Sequence, residues 1–463
     1  MEKAFYIHLQ NYAPLLKAER IPYKEDDKCL TSGLLSPTKG FMIFISCKTL
    51  QTPDLLRTVL PYLKKTALPF RLIKNQSQQY RLNSGVFGEE ECGKVISIYL
   101  QDAELLQSIT SELIVITQLF KGPVVSQAQQ LADVLYLQQV NLQDDQVLLT
   151  RPKPDELPIP IPKQYLRKAK SNSILGGGYL PVQTLRKSPK GDVIKAINLK
   201  GFAFNWCLIK QGKPVALDDH FDRDMKDRLL WQREIIQRVQ ANVHTPQYID
   251  YFERNGACYL ITEFAEGLSF GQAIRDILNG TEWSGLNIQN RSQILIWYLQ
   301  AIGLVDKIHQ HGLIHRDITD SNFIILKNGE LCIIDFELTY SLTEQLPNPP
   351  FLLGTFGYAA PEQLEYAVPD QKEDIYSLGA LLCFALTGCP PREFLDTTLQ
   401  ITKAKLLRLT QSPLLTATVI HCLAPQRKER PALATIQLNI HQALQALTYE
   451  NPATKPQTES LAY

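Results

Sequence analysis

Hydrophobic and polar positions change period several times along the chain, and each change predicts an element. In DAELLQSITSELIVITQLF, Leu106, Ile109, Leu113, Ile116 and Phe120 recur at three- and four-residue steps, which puts them on one face of a helix. Short apolar runs such as FMIFIS (41–46) and KVISIYL (94–100) read instead as strands. Their alternation with helical patterns makes residues 1–150 an α+β domain. Farther on, RSQILIWYLQAIGLVDKIHQ carries Leu295, Leu299, Ile302, Val305 and Ile308 on one helical face. FIILKNGELCII reads as two strands around the turn pair Asn328-Gly329. With strand-rich sequence up to about residue 262 and helical patterns after it, a small β lobe precedes a large helical lobe.

The sharpest break is RPKPDELPIPIPK, with five prolines between Pro152 and Pro162. Proline at that density removes backbone donors and favours extended geometry, so residues 151–175 are expected to be a stiff linker. The larger domain then covers 176–445, and 446–463, which includes ENPATKPQTESLAY, is expected to be a frayed tail.

Composition adds only exclusions. With 44% hydrophobic residues, 21% charged residues and a formal charge of +1, the chain has no global basic field for nucleic acid and too little charge for disorder. The longest apolar run, LGALLCFAL, is too short to span a bilayer, and MEKAFYIHLQ lacks an apolar signal region. A cytoplasmic protein without a membrane partner is expected. Nine cysteines without a C-x-x-C pair read as reduced thiols, and eight histidines without H-E-x-x-H give no metal-ligand spacing.

The chemistry concentrates in HRDITDSNFIILKNGELCIIDFE, residues 315–337. Phosphoryl transfer needs a lysine for the nucleotide phosphates, oxygen donors for magnesium, and an acid that orients the attacking hydroxyl. Asp317 and Asn322, separated by four residues, suit proton acceptance and metal binding respectively, and Asp335 beyond the hairpin suits a second metal position. Upstream, CLIKQG places Lys210 at the end of an apolar run, and WQREIIQRV supplies Glu234 as an expected ion-pair partner for it. GTFGYAAPEQ, EDIYSLGALL with Asp374, and RKERPAL with Arg430 opposite Glu362 follow in order.

Over roughly residues 176 to 445 these motifs resemble the eukaryotic-type Ser/Thr protein kinase family. The resemblance implies a bilobal kinase-like fold, ATP and Mg2+ as cofactors, and a peptide or protein substrate on the platform formed by the APE segment. Aminoglycoside-type phosphotransferases share the Asp and Asn logic but lack that platform. Three departures stand out. In LRKSPKGDVIKA only Gly191 and Val193 of the nucleotide-covering loop remain, with Arg186 and Ser188 at the first two glycine positions. Thr319 replaces the usual catalytic-loop lysine, and Glu337 follows Asp-Phe where glycine is usual.

ILGGGYLPVQTL, CLIKQGKP and IIDFE look like the kinase of class III lanthipeptide synthetases, in which Glu after Asp-Phe is common. GFMIFIS, LPFRLI, GKVISIYL and FKGPVVS follow the order of that family's lyase domain across most of residues 35–140. Met42 and Phe44 stand at its lysine and general-acid histidine, Arg71 at its F-K lysine, and only Gly93-Lys94 persists. Arginine is almost never deprotonated, so this lyase-like domain is expected to be inactive. Elimination and the missing cyclase step would then belong to separate lyase and cyclase proteins. The readings to separate are a peptide-modifying Ser/Thr kinase, a pseudokinase scaffold or leader-peptide binder, and a regulatory Ser/Thr kinase. For the last, Thr339, Ser341, Thr343 and Thr355 are candidate acceptors, with Arg316 to pair with a phosphate.

Overall fold

The predicted strands assemble around two hydrophobic faces in a computed structural model that describes residues 10–33, 39–143, 146–157, 159–166, 174–200, 204–352, 354–365 and 367–449. The carboxyl-terminal stretch from 450 on and positions 158 and 167–173 of the proline-rich segment lie outside the described residues. Two compact units are present. Of the described residues, one holds 10–230 with Asp250–Thr262, and the other holds Trp231–Ile249 with 263–449.

In the first unit an eight-stranded antiparallel sheet runs in the order Lys24–Glu25, Cys29–Ser32, Phe70–Ile73, Ile96–Leu100, Gly40–Ile45, Leu135–Gln143, Gln129–Gln130, with Gln146–Thr150 added on Leu135–Gln143. Alternation along Gly40–Ile45 sends Ile43 and Ile45 into a core with Leu55, Val59 and Leu63 of helix Thr52–Thr66. Leu106, Ile109 and Leu113 of helix Leu106–Thr117 join that core, while Phe120 lies beyond the helix end. Met42 and Phe44 point the other way. The proline-rich segment packs on this domain instead of standing off it: Ile159 enters the core, and the Arg151 guanidinium donates to Gln129 Oε1 at 2.8 Å. The apolar residues between the prolines supply that contact.

The same unit carries most of a five-stranded sheet ordered Tyr248–Arg254, Ala257–Glu263, Asn205–Gly212, Val193–Asn198, Tyr179–Arg186. In the second unit, helix Ile288–Gln310 starts at Asn287, whose side chain accepts the Asn290 N–H. Leu295, Ile302, Val305 and Ile308 are buried as the stripe predicts, and Tyr298 and Ala301 widen it. Helix Gln371–Thr387, apolar nearly all round, is buried against it and ends at Gly388 in a left-handed turn of φ +69°. Phe323–Leu326 pairs with Leu331–Ile333 around Gly329, at φ +83°. Among the described residues no helix is long and apolar enough to cross a membrane.

Candidate active site

The hairpin fixes the sequence motif at both ends. Asn322 donates from Nδ2 to the Asp317 carbonyl (2.8 Å) and to Asp317 Oδ2 (2.9 Å), and the Thr355 hydroxyl donates to Asp317 Oδ1 (2.9 Å). The Ile334 N–H bonds to the Asn322 carbonyl at 2.9 Å, and Asp335 follows in a left-handed conformation, φ +71°. Such a φ on a non-glycine residue costs on the order of 1–3 kcal/mol and persists only where surroundings over-determine it. Glu337 does not share the strain: it is buried, lies outside the positive-φ set, and its N–H donates to Asp335 Oδ1 at 3.3 Å. Glutamate in the glycine position is therefore compatible with this backbone.

Burial, and then the negative charge of Asp335, hold the Asp317 carboxyl above the usual carboxylate range, against the bonds from Thr355 and Asn322. Asp374 anchors the loop from below. Fully buried, it accepts the N–H groups of His315 (2.9 Å) and Arg316 (2.8 Å) and the His309 Nε2 proton (2.8 Å). Burial alone would raise its pKa, but the His309 bond leads the groups that keep it below the ordinary value.

The helix expected to supply Glu234 presents it differently. Glu234 is exposed and ion-paired with Arg238, which also holds Glu344 at 2.7 Å. Gln232, Ile235, Ile236 and Val239 are buried. The inward polar side chains of this helix are thus Arg228 and Gln232, the latter about 200° around the helix from Glu234. This departs from the sequence expectation.

In the first unit, Lys210 lies directly across from Val193 in the antiparallel ladder. Its neighbours Cys207 and Ile209 are fully buried on the strand's other face or its continuation, so alternation separates Ile209 from Lys210. Gly191 has φ +153°, and a β-carbon there would sit 1.7 Å from the Gln211 carbonyl oxygen. Only glycine fits. With serine and arginine at the other positions, the loop is closed by side chains: the Ser188 hydroxyl donates to the Gly191 carbonyl (2.7 Å), and Lys213 Nζ donates to the Ser188 carbonyl (2.6 Å) and pairs with Asp192 (3.2 Å).

The protein kinase domain model matches residues 206–460, more than half of the chain. The chain belongs to the protein kinase family. A second model, RamC, N-terminal domain, matches residues 28–138. Among curated relatives, Serine/threonine-protein kinase B of Synechocystis sp. is 30% identical over 237 residues, 49% of this chain and 40% of the relative. Serine/threonine-protein kinase C of the same organism is 29% identical over 47% of this chain and 41% of its own length. Serine/threonine-protein kinase PknA of Nostoc sp. is 24% identical over 61% of this chain and 50% of its own. The aligned region spans half the length of these relatives or less.

In this kinase-family chain the carboxyl-terminal motifs form an ion-pair chain. Glu362 binds Arg430 through two bonds (2.6 and 2.9 Å) and Arg427 at 3.2 Å. Arg427 continues to Glu373 at 3.7 Å, and Glu373 takes Arg316 Nε at 2.9 Å. Arg316, fully buried, also donates to the Phe351 carbonyl at 3.0 Å. A glutamate therefore occupies the guanidinium that the regulatory reading reserved for a phosphate, and Thr339 and Ser341 are fully buried.

In the RamC-type domain Met42 and Phe44 pack into an apolar cluster with Tyr99, Val125 and Tyr136. Beside it lies a cavity of about 250 Å³ lined by Lys28, Cys29, Arg71, Glu91, Lys94 and Ser97, with Phe87 and Leu82 among its walls. Lys94, nearly buried, pairs with Glu91 at 3.0 Å and lies 4.8 Å from the Phe44 ring centroid. Arg71 pairs with Asp26 at 3.4 Å. Lys28 and Cys29 were not singled out by the sequence reading.

Proposed function

We propose that the chain transfers the γ-phosphoryl group of ATP to a Ser or Thr hydroxyl of a peptide or protein. The observation carrying this reading is the Asp317 carboxylate, fixed on one oxygen by Thr355 and on the other by Asn322. Asp317 accepts the hydroxyl proton, the hydroxyl oxygen forms the new bond to phosphorus, and ADP leaves with the electrons of the broken bond. Lys210 neutralises the nucleotide phosphates, while Gly191 and Val193 line their cover. Asn322 and Asp335 offer hard oxygen donors that suit Mg2+, and the charge of Asp335 on Asp317 is of the kind a bound cation relieves. The ion supplies charge neutralisation at the phosphates.

The test is phosphate transfer from Mg-ATP to Ser/Thr peptides, read by mass spectrometry. Asp335→Ala is expected to abolish transfer, and Glu337→Gly to retain most of it, because the strained residue is Asp335. Normal nucleotide binding with no transfer to itself or any peptide would favour the scaffold reading.

The domain pair supports a more specific role in modifying precursor peptides of the class III lanthipeptide kind. In that reading the amino-terminal domain binds phosphorylated side chains without eliminating phosphate. Lys28, Arg71 and Lys94 retain cations around one cavity, while Met42 and Phe44 offer neither acid nor base. A positioned acid or base is worth about 10² to 10⁴ in rate, so its loss is decisive. A phosphoserine peptide incubated with the protein is expected to be recovered intact. Appearance of the dehydrated product would show that elimination survives.

A further inference from the structure

Asp218 is a buried carboxylate that the phosphoryl-transfer chemistry does not use. It lies in the segment that follows strand Asn205–Gly212, which carries Lys210. Its two oxygens are both spoken for by the amino-terminal domain: Oδ2 accepts the Thr49 N–H at 2.5 Å, and Oδ1 accepts Asn83 Nδ2 at 3.0 Å. Thr49 opens the helical turn that leads into helix Thr52–Thr66, so the charge also sits at the positive end of a helix. Four residues on, Asp222 pairs with Lys48 at 2.7 Å. Desolvation raises the Asp218 pKa, and the Thr49 and Asn83 bonds oppose that rise.

The near end of this segment is tied to the nucleotide loop. Lys213 bonds the Ser188 carbonyl with Nζ, pairs with Asp192, and sends its own N–H to the Lys190 carbonyl at 2.9 Å. A second contact closes the circuit. Pro189, at the tip of that loop, lies so near Gly85 that a β-carbon on Gly85 would be 2.8 Å from Pro189 Cγ. Gly85 follows Asn83 by two residues. A loop that lacks two of its three glycines is thereby held on one side by Lys213, from the segment that Asp218 anchors, and on the other by Gly85 of the amino-terminal domain.

We propose that Asp218 is a positioning residue through which the amino-terminal domain sets the conformation of the nucleotide loop and, with it, nucleotide affinity. This rests on the reading that residues 186–193 cover ATP. Coupling of this kind between two parts of a protein is typically worth 5- to 150-fold in affinity.

The test is titration of the full-length protein with a fluorescent Mg-ATP analogue, well below its unfolding temperature. Asp218→Ala is expected to raise Kd about tenfold or more. The isosteric Asp218→Asn turns an amide toward Asn83 or Thr49 and is expected to raise Kd as well. Adding Asn83→Asp restores a donor opposite an acceptor and should recover much of the loss; recovery is partial because Asn83 also donates to the Cys47 carbonyl at 3.3 Å. A purely structural role would lower the melting temperature without moving Kd. If Asp218→Ala does not fold, the Asp218→Asn protein and its Asn83→Asp partner carry the same test. Normal nucleotide binding by the wild type with an unchanged Kd in a folded Asp218 variant overturns this inference alone. A wild-type protein that takes up no nucleotide overturns the functional reading with it.

Discussion

Replacing Asp317 by asparagine is expected to lower the phosphoryl-transfer rate by about 10² to 10⁴, with nucleotide affinity nearly unchanged. The substitution keeps size and shape but removes the basic oxygen. It also turns an amide N–H₂ toward one of two donors, the Thr355 hydroxyl or Asn322 Nδ2, that now bond the carboxylate at 2.9 Å. Since Asp317 must be ionised to take the proton, the wild-type rate falls as pH drops through its pKa, which burial and the Asp335 charge raise. The asparagine variant should lose that acid limb. Single-turnover kinetics across pH, with bound nucleotide measured separately, checks both points; an undiminished rate would remove Asp317 from the chemistry.

The part of this site legible in the sequence is the part built from local geometry. Asp317, Asn322 and Asp335 sit on one loop and one hairpin: spacing brings the first two together, and the Asn328-Gly329 turn brings the strand end before Asp335 back beside Asn322. The helix carrying Glu234 shows why other residues were not legible. Both Gln232 and Glu234 are polar, and only the phase set by Ile235, Ile236 and Val239 tells which faces inward. That apolar stripe was a usable signal. Contacts between distant segments left no such trace: Asp218 meets Thr49 across 169 positions, and Arg316 meets Glu373 across 57. Proline spacing likewise indicated stiffness but not that Ile159 would find a core to enter.

The second large effect is on stability, and it comes from one of those distant contacts. Glu373→Ala is expected to destabilise the second unit by about 3–5 kcal/mol, the usual cost of removing one partner from a buried ion pair. Arg316 and Glu373 are both essentially inaccessible to water, and among the described residues the guanidinium would keep the carbonyls of Phe351 and Leu338. Glu373 is itself costly to ionise there: desolvation raises its pKa, and the Arg316 charge opposes that rise. The pair therefore contributes little net stability against an apolar pair of similar volume, while half of it is a liability. Denaturant unfolding of three proteins separates these terms. Glu373→Ala should show the full loss, Glu373→Gln a smaller one because an acceptor remains, and the double variant Arg316→Met/Glu373→Met should lie much closer to wild type than Glu373→Ala. If the alanine variant unfolds at the wild-type midpoint, Arg316 has another means of satisfying its charge, and Glu373 is not what holds it.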